Sequence, residues 1–139
     1  MTIPVWVLLA FAVWTLLILA ATVGVYRWFR ILTGRVGFGE YAQYELKGKD
    51  WYQRGMRAHA NCVENLPIYG AIVLAIVVAG IDTAGLDVLA LILIAARICH
   101  SLVHVSFRQT DRVVMFRSLF YNTQWICMLA MGVLTALRA

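Results

Sequence analysis

Arg54, Arg57, Asn61 and Glu64 recur at steps of three or four along Gln53–Pro67, QRGMRAHANCVENLP, with Ile68 next in line. On a helix such steps share one face. Two guanidiniums, a carboxamide and a carboxylate on one face can hold a small anionic ligand by charge and paired hydrogen bonds. A second polar stripe follows at Arg97, His100, His104 and Arg108, and Arg117, Tyr121 and Gln124 share a third face, with Arg112 just before it. His100 and His104, four apart, have a spacing that can hold a metal with a third ligand such as Glu64. The surrounding arginines would repel a cation, so no metal is expected. Cys62, Cys99 and Cys127 form no CxxC or zinc spacing and read as small hydrophobes. No glycine-rich phosphate loop, internal repeat or Ser–His–acid arrangement is evident.

The elements that position these groups are set by hydropathy. Hydrophobic residues make up 63% of the 139 and charged residues 14%, with mean hydropathy +0.80. That excludes an ordinary soluble domain. The net charge of +5 is therefore read as basic loops beside apolar spans, not as a nucleic-acid surface. The pattern predicts an all-α membrane protein, a single domain over residues 1–139 with four transmembrane helices at about 4–30, 52–80, 86–108 and 113–137. The first run carries its positive charges after it, at Arg27 and Arg30, and reads as a retained span rather than a signal peptide. Leu66–Ile81 is too short to span alone, since about 20 apolar residues are needed. The second span must therefore take in Asn61 and Glu64, and polar groups at that depth face a bundle interior or a wet cavity. Pro67 inside that helix should kink it. Arg97, about halfway along the third span, needs a partner, and Glu64 is the candidate. The loop over 31–51, with four glycines, two tyrosines and Trp51, suits a membrane-hugging segment. Residues 109–116 read as a tight turn.

Orientation follows from Lys and Arg. The first loop with its flanks carries Arg27, Arg30, Arg35, Lys47, Lys49, Arg54 and Arg57, and the third carries Arg108, Arg112 and Arg117. The middle turn, DTAGLD, carries none. Loops one and three are expected on the cytoplasmic side and both termini opposite. Arg27 or Arg30, Arg57, Asn61, His100, His104 and Arg112 would then converge on one inner-side cationic pocket. The outer halves of all four spans are apolar, which argues against an ion conductor.

RAHANCVENLP, Arg57–Pro67, resembles the helix-two signature of the MAPEG superfamily, the membrane-associated proteins of eicosanoid and glutathione metabolism. ARICHSLVH, Ala96–His104, resembles the third-helix motif of its prostaglandin E synthase and microsomal glutathione transferase members. The resemblance covers the whole chain. It implies a left-handed-type four-helix bundle, assembled as a homotrimer in membrane lipid, with glutathione as cosubstrate bound between neighbouring subunits near the cytoplasmic side. Carried over by position, Arg57, Asn61 and Glu64 match the glutathione-holding Arg, Asn and Glu. His59 matches a His or Gln that also touches the tripeptide. His100 matches a His or Tyr ligand, and Arg30, or else Arg27, a basic residue at the end of helix one. Arg112 matches the thiol-facing Arg if one residue is deleted from the preceding turn, with Arg117 as the alternative. His104 stands where relatives carry Tyr, Phe116 where the prostaglandin branch has a Tyr hydroxyl, and Asn65 where a Tyr or Thr follows the Glu. These departures bear on prostaglandin-type isomerisation more than on glutathione binding. The implied activity is a membrane glutathione transferase or peroxidase acting on lipophilic electrophiles or hydroperoxides. The alternative within the family is a non-catalytic lipid- or glutathione-binding scaffold.

Overall fold

The structure, a computed structural model, describes residues 1–41 and 48–139; the middle of the expected membrane-hugging loop lies outside the described residues. Helix α1 (Ile3–Ile18) runs through a π-helical turn, Leu19–Gly24, into α2 (Val25–Leu32). After a 3₁₀ turn at Phe38–Tyr41 come α3 (Asp50–Val78), α4 (Ala84–Ser106) and α5 (Asp111–Ala136). The α1–π–α2 run is one continuous span of 30 residues, so four helices are long and apolar enough to cross a membrane. No strand occurs among the described residues.

Local chemistry explains the ends. Pro4 sits in the first turn of α1, where its missing N–H has no intrahelical partner to lose. Gly34 and Gly80 both have φ +66° and close α2 and α3 with paired backbone bonds. In α2 these are Gly34 N to Ile31 O and Arg35 N to Arg30 O, each 3.0 Å, the arrangement a left-handed residue permits after a helix. Thr110 caps α5, its hydroxyl accepting from Val113 N. The turn after α4 is therefore confined to Phe107–Thr110, and residues 111–116, read as a turn from the sequence, are helical. Pro67 lies inside a continuous helical run.

Helix α4 packs against α1, α3 and α5, and α3 also touches α1 and α5. The buried stripe of α4 divides along its length. Leu86, Ala90 and Leu93 join an apolar core with Phe11, Tyr69, Val73 and Met131. Arg97, His100, Ser101 and His104 continue the same stripe, all buried. Much of the remaining surface is apolar and exposed, for example Leu16, Leu74, Ile92 and Ile126, as spans facing lipid require. The first span and α3 approach closely at Gly55, where an added Cβ would lie 2.5 Å from Thr22 Cβ. Thr22 belongs to the π-helical turn, its hydroxyl donating to Ile18 O at 2.6 Å.

Candidate functional site

The polar half of the core opens onto a cleft between α3, α4 and α5. It has a volume of about 190 Å³ and is lined by Asn61, His100, Arg117, Ser118 and Tyr121. Each lining group is fixed by its helix. Asn61 Nδ2 donates to Arg57 O at 2.9 Å and Asn65 Nδ2 to Asn61 O at 3.1 Å, so both carboxamides lie along α3 and Asn61 Oδ1 remains available. Arg117, half-buried, donates from Nη1 to His104 Nε2 and to Gln109 Oε1, each at 2.7 Å. A guanidinium can only donate, so His104 is held with Nε2 as the acceptor. His100 lies edge-on to His104, ring centroids 6.0 Å apart, and 6.0 Å from the Tyr121 ring.

Deeper in, Arg97 is fully buried with its guanidinium 5.1 Å from the centre of the Phe11 ring. All three of its nitrogens lack a hydrogen-bond partner among the described residues, as do His100 Nδ1, His104 Nδ1 and Gln124 Oε1. The expected Arg97–Glu64 ion pair is absent among the described residues: Glu64 is exposed on the outward face of α3, while Arg97 turns inward onto the first span. Among the described residues a salt bridge joins Arg54 to Asp50. Arg54 Nε also donates to Val105 O at 3.1 Å, so Arg54 ties the start of α3 to the end of α4 and leaves the Arg57–Asn61–Glu64 face.

The structure thus brings Asn61, His100, His104 and Arg117 together. Arg57 and Glu64 flank Asn61 on the same face but are exposed. Arg112 is exposed in the first turn of α5. Five residues before Arg117, it points roughly 140° around the helix at about 100° per residue, so within one chain the two do not line the same cleft. His59 faces the first span, its Nδ1 donating to Thr15 O at 3.3 Å. Arg30 Nη1 donates to Tyr26 Oη at 3.1 Å, and Arg27 Nε to Tyr52 Oη at 2.9 Å. His59 on α3 and Arg27 and Arg30 on α2 thus lie on the side where α3 meets the first span. Tyr121 was legible as a helical neighbour of Arg117; Ser118, adjacent in sequence to Arg117, carries no spacing signal.

A site of about 190 Å³ is smaller than the roughly 300–1,000 Å³ usual for a small-molecule pocket. Glu64 lies midway along α3, roughly 21 Å from either end at about 1.5 Å per residue, and is exposed.

The family model described as MAPEG family matches residues 4–137. No curated protein and no solved structure matches the chain.

Proposed function

The chain belongs to the MAPEG family, a multi-pass integral membrane protein, and from that premise we propose that it is a glutathione-dependent transferase or peroxidase for lipophilic acceptors. The observation that carries this reading is the placement of Arg117 beside Asn61 and His100, next to the exposed Arg57 and Glu64. Glutathione has two carboxylates, an ammonium and a thiol. Arg57 complements a carboxylate, Glu64 the ammonium and Asn61 the peptide amides. His100 borders the same space with an unpartnered Nδ1. Arg117 supplies positive charge for the thiol, favouring the thiolate by opposite charge and hydrogen bonding. His104 and Gln109 hold that guanidinium in place.

The thiolate sulfur attacks an electrophilic carbon and displaces its leaving group, or attacks the terminal oxygen of a hydroperoxide, breaking the O–O bond, releasing the alcohol and leaving glutathione sulfenic acid, which a second glutathione converts to glutathione disulfide and water. The protein provides no covalent nucleophile. His59, Arg30 and Arg27 lie on the other flank of the chain, so they reach the same tripeptide only from a neighbouring copy. That, with the small cleft and the exposed mid-span Glu64, supports sites between subunits; the number three, a homotrimer, rests on the family resemblance. The apolar groove of Ile68, Ile72, Trp125, Met128, Leu129 and Gly132 continues the α3–α5 side toward the apolar half of the bundle. It offers a lipophilic acceptor a lateral path from the bilayer.

The test is the ultraviolet thiolate band of the purified protein with glutathione near neutral pH, together with conjugation of chlorodinitrobenzene. Both are expected in the wild type. Glutathione bound without thiolate or turnover would make the protein a non-catalytic glutathione-binding member.

A further inference from the structure

A larger cleft, about 630 Å³, lies between the end of the first span and the start of α3 and shares no lining residue with the Arg117 cleft. Its walls include Val25, Phe29, Arg30, Arg35, Lys49 and Trp51. Two of the cations are held by aromatic neighbours. Gly34 reverses the chain after α2 and brings Arg35 back, its guanidinium 5.4 Å from the centre of the Phe29 ring. Arg30 bonds Tyr26 Oη and lies 5.4 Å from that ring's centre. Tyr26 is itself clamped, stacked on Tyr52 at 4.2 Å and edge-on to Trp51 at 5.4 Å. Three cations thus line a space with an apolar and aromatic floor; no carboxylate lines it among the described residues, and Glu40 acts on Arg30 from outside it.

The cleft sits where an apolar span ends in exposed Trp28, Phe29 and Leu32. Aromatic and basic side chains of this kind mark the headgroup level of a bilayer. We infer that this cleft seats the phosphodiester of an anionic phospholipid between Arg35 and Lys49, and the glycerol and first acyl carbons along Val25, Phe29 and Trp51. Charge complementarity selects the anion. The apolar floor, continuous with the lipid-facing end of the span, selects a lipid over a soluble phosphate. The headgroup contacts, Arg35 and Lys49, are not used by the glutathione reading, and the binding is measured without glutathione.

The experiment is native mass spectrometry of the detergent-purified full chain titrated with phosphatidylglycerol or phosphatidylcholine. Phosphatidylglycerol is expected to bind at least tenfold more tightly. The exposed double variant Arg35→Gln/Lys49→Gln should lose on the order of tenfold or more of that affinity. Arg35→Lys/Lys49→Arg, which keeps both charges, should retain it. Arg108→Gln, removing an exposed cation from another loop, should change it little. Equal binding of the two lipids, an unaffected Gln double variant, or an equal loss in Arg108→Gln would overturn the assignment. Displacement of the lipid by an equal concentration of inorganic phosphate would make this a soluble-anion site and overturn it as well.

Discussion

Removing the Arg117 guanidinium should return bound glutathione to the ionisation of a free thiol. A free thiol has a pKa of about 8.5, so about 3% is thiolate at pH ~7. Two unit charges about 4 Å apart interact by about 1 kcal/mol in water and about 4 kcal/mol near a protein surface. Arg117 is half-buried in an open cleft, so a middle value of about 2 kcal/mol applies, or roughly 1.5 pKa units. The bound thiol then titrates near 7, about half of it is thiolate, and the ionised fraction is roughly fifteenfold that in water. Because the bound thiol has the lower pKa, glutathione binding releases protons. Affinity should therefore rise as pH increases from about 7 to about 8.5 and level off above. Arg117→Ala should abolish the thiolate band, lower conjugation roughly fifteenfold near neutral pH, and flatten this pH dependence. Binding should persist through Arg57, Asn61 and Glu64. The same change leaves buried His104 Nε2 without its donor, at about 1–3 kcal/mol in stability. Arg117→Lys, which keeps the charge, separates the electrostatic effect from the structural one and should recover much of the thiolate. Arg112→Ala should leave the band intact. Loss of the band in Arg112→Ala with retention in Arg117→Ala would refute the assignment, and would mean that the thiol meets the exposed first turn of α5 rather than the cleft.

Arg57→Ala should raise the KM for glutathione on the order of tenfold or more with a smaller effect on kcat, as expected for loss of a charge-assisted carboxylate contact; steady-state kinetics would show the split. Native mass spectrometry in detergent should show a trimer, and a stable monomer that binds glutathione with full affinity would contradict sites between subunits. A tag after Ala139 should be accessible from the non-cytoplasmic side of intact cells or spheroplasts; a cytoplasmic tag would reverse the orientation drawn from the basic loops. Gly55→Ala should destabilise by about 1–3 kcal/mol, read as a lower melting temperature, because its Cβ would meet Thr22 Cβ at 2.5 Å. Thr22→Ala keeps that Cβ and should not rescue it.

The sequence alone determined the four apolar spans, because a lipid environment admits few alternatives to a helix that satisfies its own backbone. It also determined which side chains share a face: the steps from Arg57 through Asn61 to Glu64, and from Arg97 through His100 to His104, follow from 3.6 residues per turn. Periodicity does not say which way a face turns, and that was decided by packing. Arg97 and Glu64 looked like partners at similar depth. Once α4 is seated among α1, α3 and α5, Arg97 points at Phe11 while Glu64 stays outside. His59 and Asn61, two residues apart, were bound to diverge by roughly 200°, but only the seating of the first span against α3 showed that His59 meets Thr15. Between Arg112 and Arg117, spacing could not choose. The packing of α5 on α4 and α3 turns Arg117 to His104 and Gln109 and leaves Arg112 exposed. The π-helical turn at Leu19–Gly24 left no mark in an almost uniformly apolar run. Its surroundings are tertiary, in the close approach of Gly55 to Thr22, and a local pattern cannot encode a distance between two helices.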